Sequence, residues 1–190
     1  MNRKWERIRV ICFAVSLILT AGVFLLVSYL TQQSVGQTLS TQERAVLLFP
    51  FAFPQHYHNR LWLYLQLNSP RRLAHIYEFG FLGLFATLAA LTNPWPRRGS
   101  AHLSLNRVGV RLIGAVVFCG AVSFLDQVHK IFVDSRHFDV LDLRLDAIGY
   151  VSAALVISLL YLIVTHHVLR RTEIFLEESL PCQGRPKEMY

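Results

Sequence analysis

Four long apolar runs divide the chain, with charge gathered in the short stretches between them. The first, residues 10–30, reads VICFAVSLILTAGVFLLVSYL without a single charge. The second covers about residues 73–92 and ends at Asn93-Pro94-Trp95-Pro96. Two prolines there stop a helix, and Trp95 suits a membrane interface. The third covers about residues 108–125 and the fourth residues 147–165, followed by HHVLRR. Each run comes close to the roughly 20 residues a helix needs to cross a hydrocarbon layer of about 30 Å. The pattern predicts an all-α polytopic membrane helix bundle with four transmembrane helices.

The connection between the first two runs, residues 31–72, is long and uneven. It holds AVLLFPFAFP and LWLYLQL, both apolar and both too short to span. Ser40-x-x-Glu43 ahead of the first has the form of a capping box. One or two interfacial helices on the outer leaflet are expected here, with a re-entrant element as the alternative. The first run follows MNRKWERIR, as the apolar part of a signal peptide would. Its length, and the lack of a clear small-x-small cleavage site after it, favour a retained anchor.

Lys and Arg set the expected orientation. Arg3, Lys4, Arg7 and Arg9 flank the first run, Arg97, Arg98 and Arg107 lie between the second and third, and Arg170, Arg171, Arg185 and Lys187 follow the fourth. The other connections hold Arg44, Arg60, Arg71, Arg72, Lys130, Arg136 and Arg144. The positive-inside bias therefore predicts both termini in the cytoplasm, an N-in/C-in topology with a long outer first loop. The expected divisions are a basic cytoplasmic N-terminus (1–9), the first transmembrane helix (10–30), the outer loop (31–72), a three-helix core (73–165) and a cytoplasmic tail (166–190).

Composition agrees with the class. Of 190 residues, 53% are hydrophobic and only 16% charged, against about 25% charged in ordinary soluble domains. The net charge of +7 does not imply nucleic acid, because the basic residues cluster where they would bias topology. Cys12, Cys119 and Cys182 are scattered, with no CxxC, and give neither a disulfide framework nor a zinc site.

Chemistry concentrates at one predicted end of the bundle. Residues 126–149 read DQVHKIFVDSRHFDVLDLRLDAIG, with five aspartates, two histidines, two arginines and a lysine between two apolar runs. Asp126, His129 and Lys130 share a face if the third helix persists that far. Asp139, Asp142 and Asp146 step by three and four into the fourth. At the start of the second, PRRLAHIYEFG puts Arg71, His75 and Glu78 on one stripe, with Pro70 suited to the first turn. Glu78 lies about 10 Å into the span, so it should face the bundle interior. A bland reading fits Asp134 and Asp139 as local caps in a solvated loop. His56, His58, His166 and His167 read as interfacial side chains. Plausible metal ligands are present, but no HExxH or comparable spacing, so no metal and no cofactor is expected.

These segments resemble the VanZ-like membrane proteins. RRLAHIYEFG is similar to the basic-x-x-His segment opening that family's second span, which Arg72 and His75 match. The second segment matches at Asp126, Arg136, Asp142 and Gly149. Gln127, Lys130 and Asp146 depart from it, standing where the family shows Glu, Gln and Asn. The resemblance covers the second to fourth spans. It implies a small multi-pass protein of the bacterial cytoplasmic (inner) membrane, in a family named for a member linked to resistance to the glycopeptide teicoplanin.

The combined reading is an outer-facing charged pocket that binds a membrane lipid, a lipid-linked cell-wall precursor or a lipophilic glycopeptide, contributing to envelope homeostasis or glycopeptide resistance. The candidate ligand-binding residues are Arg72, His75, Glu78, Asp126, His129, Arg136, Asp142 and Asp146. Two alternatives stand beside it. One is a membrane-embedded enzyme acting on a lipid headgroup with His75 or His129 as acid/base. The other is a structural or partner-binding membrane protein whose charged face holds the bundle together.

Overall fold

The computed structural model describes residues 3–33, 35–52, 60–65, 67, 69–94, 105–133 and 136–179. His56, His58, Trp95, Asp134 and the tail from residue 180 lie outside the described residues. Among the described residues, six α-helices follow in order: α1 (Arg3–Thr31), α2 (Val35–Leu48), α3 (Arg60–Tyr64), α4 (Pro70–Thr92), α5 (Leu105–Lys130) and α6 (Val140–Ser179), with a 3-10 turn at Pro50–Ala52. No strand occurs among the described residues.

Among the described residues, four helices are long and apolar enough to cross a membrane: Glu6–Thr31, Pro70–Thr92, Arg107–Lys130 and Val140–His167. The chain is a polytopic helical bundle of the multi-pass membrane type. Of the four, Pro70–Thr92 has the lowest mean hydropathy, 1.4, and the largest buried share, 44%. A helix enclosed by its neighbours can carry polar side chains that one facing lipid cannot. The outward faces are apolar, with Ile18, Val110, Ile113 and Val117 all exposed.

The chain divides into a compact unit, Met1–Ser158, and a second, Leu159–Tyr190. In the first unit, α4 packs against α1 and α5, and α2 also touches α4. Val27, Phe79, Leu82, Ala86, Cys119 and Val122 form its main apolar core, with Val23 and Tyr150 against it. A smaller cluster joins Leu67, Leu73 and Leu145. Small residues let α4 and the first part of α6 cross closely. A Cβ at Gly149 would run into the Ile76 carbonyl oxygen and stand 2.9 Å from Gly80 N. One at Gly83 would lie 2.6 Å from Tyr150 Cα. Such close approach through glycine is a common way to pack helices where lipid removes the hydrophobic drive. In the second unit α6 stays helical to Ser179, with Leu159, Leu160, Ile163 and Val164 exposed.

Three features differ from the apolar pattern. α5 runs to Lys130, beyond the apolar run, because Asp126, Gln127 and Lys130 are buried in the bundle instead of solvated. α6 likewise begins at Val140, well before residue 147, with Asp142 and Asp146 buried. Ser40 does not cap a helix: α2 has already begun at Val35, and the Ser40 hydroxyl donates back to the Gln37 carbonyl at 2.9 Å. α2 ends just before Pro50, whose ring cannot continue it.

At the other end of α4, arginines satisfy carbonyls left open by the helix terminus. Arg111 donates to Leu91 O at 2.7 Å and Asn93 O at 3.3 Å. Arg9 donates to Pro94 O at 3.1 Å. Positive charge beside a helix C-terminus is favourable by the macrodipole.

Candidate functional site

The site is assembled where the first turns of α4 and α6 meet the last turns of α1 and α5. Pro70 opens α4 with Ser69 at its N-cap, which sets the stripe bearing Arg71, His75 and Glu78. On α5, residues 123, 126, 127 and 130 fall on one arc of a helix with 3.6 residues per turn. All four are buried: Ser123, Asp126, Gln127 and Lys130. On α6, Asp142 and Asp146 are one turn apart and both buried.

The Lys130 ammonium stands among three polar side chains and donates to Asp142. Its Nζ lies 3.2 Å from Asp142 Oδ2, 3.4 Å from Asp126 Oδ2 and 3.4 Å from His75 Nε2. His75 bridges the two aspartates of α6, with Nδ1 2.9 Å from Asp146 Oδ1 and Nε2 3.3 Å from Asp142 Oδ2. The Ser123 hydroxyl donates to Asp146 Oδ2 at 2.7 Å, and Thr31 at the end of α1 donates to Asp126. Arg71 reaches Asp142 at 3.8 Å. Four helices thus contribute to one buried network. Charges this deep are sustained only when paired and hydrogen-bonded.

Beside the network lies a cavity of about 330 Å³ between α1, α2 and α4. Its polar side carries Arg71, His75, Glu78, Lys130 and Arg136. Apolar side chains of α1 and α4, among them Val23, Leu26, Val27 and Phe81, line the rest. Thr38, Thr41, Gln42 and Ala45 of α2 close one wall. Among the described residues, Glu78 makes no hydrogen bond or ion pair with another side chain, although it lines the cavity.

Arg136, in the α5–α6 connection, fastens α2 to α1. Its Nη2 donates to Leu30 O at 3.2 Å, Gln33 O at 2.9 Å and Thr38 Oγ1 at 2.8 Å. Burial first, then the nearby positive charge of Arg71, lowers its pKa from the ordinary value, while Asp126, Glu78 and Asp142 act in the opposite direction.

The structure brings together His75, Asp126, Asp142 and Asp146, and places Glu78 and Arg136 on the cavity wall. Two candidates sit elsewhere. His129 is exposed, about 60° around the α5 axis from the buried arc, which explains why it does not share the face of Asp126 and Lys130. Arg72 pairs with Asp139 at 3.4 Å, and Arg71 takes the cavity wall in its place. Asp139 also caps the start of α6, accepting from Leu141 N at 2.8 Å, while its own N–H donates to Gln127 Oε1 at 3.2 Å. Among the residues not counted as candidates, Lys130 holds the centre, and Thr31, Ser123 and Gln127 support it. The signal for Ser123 and Gln127 was their spacing with Asp126 and Lys130. Nothing local marks Thr31, whose partner is 95 residues away. Among the described residues, no group of three or more His, Cys, Asp or Glu side chains is arranged to hold a metal ion.

A protein-family model described as VanZ/LLP1 matches residues 11–161, well over half of the chain. The chain belongs to the VanZ/LLP1 family. The match begins in α1 and takes in α2 and the whole site, whereas the motif resemblance rested on the second to fourth spans. Of this chain's departures from the VanZ-like pattern, Lys130 and Asp146 both enter the buried network, one adding a positive and the other a negative charge. No curated protein and no solved structure matches the chain.

Proposed function

We propose that this VanZ/LLP1-family membrane protein binds an anionic amphiphile in the cavity between α1, α2 and α4. The observation that carries this reading is the ordering of the cavity wall. By their places along the chain, Arg71, Lys130 and Arg136 lie near the helix ends that build the network, and Val23, Leu26 and Phe81 lie further along α1 and α4. Arginine donors match phosphate or carboxylate oxygens, two at a time. The bonds of Arg136 to α1 and α2 all leave from Nη2, and the side chain also lines the cavity. Apolar walls suit a hydrocarbon tail. The positive-inside bias supports an N-in/C-in orientation with Arg9 and Arg111 at the inner end; in that orientation the charged end of the cavity faces the outer surface. A lipid, a lipid-linked cell-wall precursor or a lipophilic glycopeptide presents the required chemistry, and the proposal extends to a role in envelope homeostasis or glycopeptide resistance.

Titration of the purified protein with hexadecyl phosphate tests the reading. Saturable binding by the wild type, lost in both Ala74→Phe and Ala45→Phe, supports it. These variants fill the cavity from opposite walls without touching a charge. Binding unchanged in two folded variants would refute it.

The His75–Asp146 pair favours a second reading, acid/base chemistry on a lipid headgroup. A carboxylate 2.9 Å from Nδ1 orients the ring, and the ring lines the cavity. Turnover of a radiolabelled lipid panel, abolished in His75→Gln, is the outcome this reading requires.

A further inference from the structure

The order of groups along the cavity narrows the amphiphile. Counting along α4 at 1.5 Å per residue, Glu78 lies about 10 Å from Arg71, and Phe81 a further 4–5 Å along. α1 runs past the same wall in the opposite sense. Its Leu30 end meets Arg136, and its Val23 end meets the apolar part. From the apolar end outward the ligand therefore meets hydrocarbon, then one carboxylate, then a group of cations. Glu78 forms no hydrogen bond or ion pair with another described side chain, so its oxygens are available as acceptors inside the cavity.

We infer that the occupant is a single-chain amphiphile whose anionic headgroup is a phosphate and which carries a hydroxyl between chain and phosphate, donated to Glu78. This rests on the amphiphile reading above. A lysophospholipid of the 1-acyl-glycerol-phosphate type has that order: chain, hydroxyl, phosphate. A two-chain phospholipid has an ester where the hydroxyl would be, and an ester has no hydrogen to donate to Glu78. The volume points the same way. About 330 Å³ is small for a lipid site. It lies near the lower bound of roughly 300 Å³ for small-molecule sites.

The test compares three probes on the intact protein in detergent: 1-palmitoyl lysophosphatidic acid, hexadecyl phosphate and dipalmitoyl phosphatidic acid. The wild type should bind the lysophosphatidic acid up to about tenfold more tightly than hexadecyl phosphate, as expected for one added hydrogen bond. Glu78→Met should erase that preference and still bind hexadecyl phosphate, which shows that the variant is folded. Glu78→Gln, which keeps an acceptor oxygen, should retain part of it. Equal binding of the first two probes by the wild type overturns the hydroxyl assignment and leaves the amphiphile reading standing. So does a preference that survives Glu78→Met. Dipalmitoyl phosphatidic acid binding as tightly as the lysophosphatidic acid overturns the single-chain assignment. No binding of any probe overturns the amphiphile reading as well.

Discussion

Lys130 Nζ lies 3.2 Å from Asp142 Oδ2 with both side chains buried, and this bond ties the last residue of α5 to the first turn of α6. Asp126 and His75 crowd the same ammonium, so its removal strands carboxylate charge on two helices. Breaking a buried pair from one side costs about 3–5 kcal/mol, whereas replacing both partners by apolar or neutral groups is often tolerated. Lys130→Met should therefore lower unfolding stability in detergent by about that amount. The double variant Lys130→Met/Asp142→Asn should recover much of it. A Lys130→Met protein as stable as the wild type would mean the network does not hold the bundle.

The crossing of α4 and α6 gives a sharper structural test. Gly149→Ala sets a methyl against the Ile76 carbonyl, and Gly83→Ala sets one against Tyr150. Each should cost about 1–3 kcal/mol as overpacking, read from thermal unfolding. Gly114→Ala meets nothing within 4 Å and should instead stabilise α5 by about 0.4–1 kcal/mol.

The four long helices were legible because apolar length alone marks a span. Their true ends were not. Residues 126–130 and 140–146 look like solvated loop by composition, and only the tertiary pairing of Asp126, Lys130, Asp142 and Asp146 makes them helical and buried. A helix in the first loop was expected, but with its start at Ser40 and not at Val35. Its sequence, VGQTLSTQERAVLL, has a mean hydropathy too mixed for a core helix, and its signal is the stripe Thr38, Thr41, Gln42 and Ala45 that lines the cavity. Spacing alone placed His129 with Asp126, although three residues carry it about 60° beyond the buried arc. The choice between Arg71 and Arg72 rests on where α4 begins to meet α6, which adjacent arginines do not reveal.

Arg136 should govern α2 more than any other part of the fold. Its Nη2 bonds the Leu30 and Gln33 carbonyls and the Thr38 hydroxyl, so Arg136→Ala releases the start of α2 from the end of α1. Hydrogen exchange should speed up by about tenfold or more over Val35–Leu48, for the loss of bonds to a charged donor. Exchange in α5 should change little. Uniform acceleration across all helices would assign Arg136 a global role instead.

At the opposite end of α4, Arg111→Ala removes two bonds to helix-terminal carbonyls. A loss of about 1–3 kcal/mol in unfolding stability is expected, with affinity for hexadecyl phosphate unchanged. A variant that loses affinity while keeping its stability would connect the two ends of the bundle in a way the contacts do not explain.

Native mass spectrometry of the detergent-purified protein reads the cavity's occupancy most directly. The wild type should retain an acidic amphiphile as a discrete adduct, present in His129→Ala and absent from both Ala74→Phe and Ala45→Phe. A wild type that carries no adduct and takes up no added alkyl phosphate, or an adduct that persists in both filled-cavity variants, would contradict binding between α1, α2 and α4.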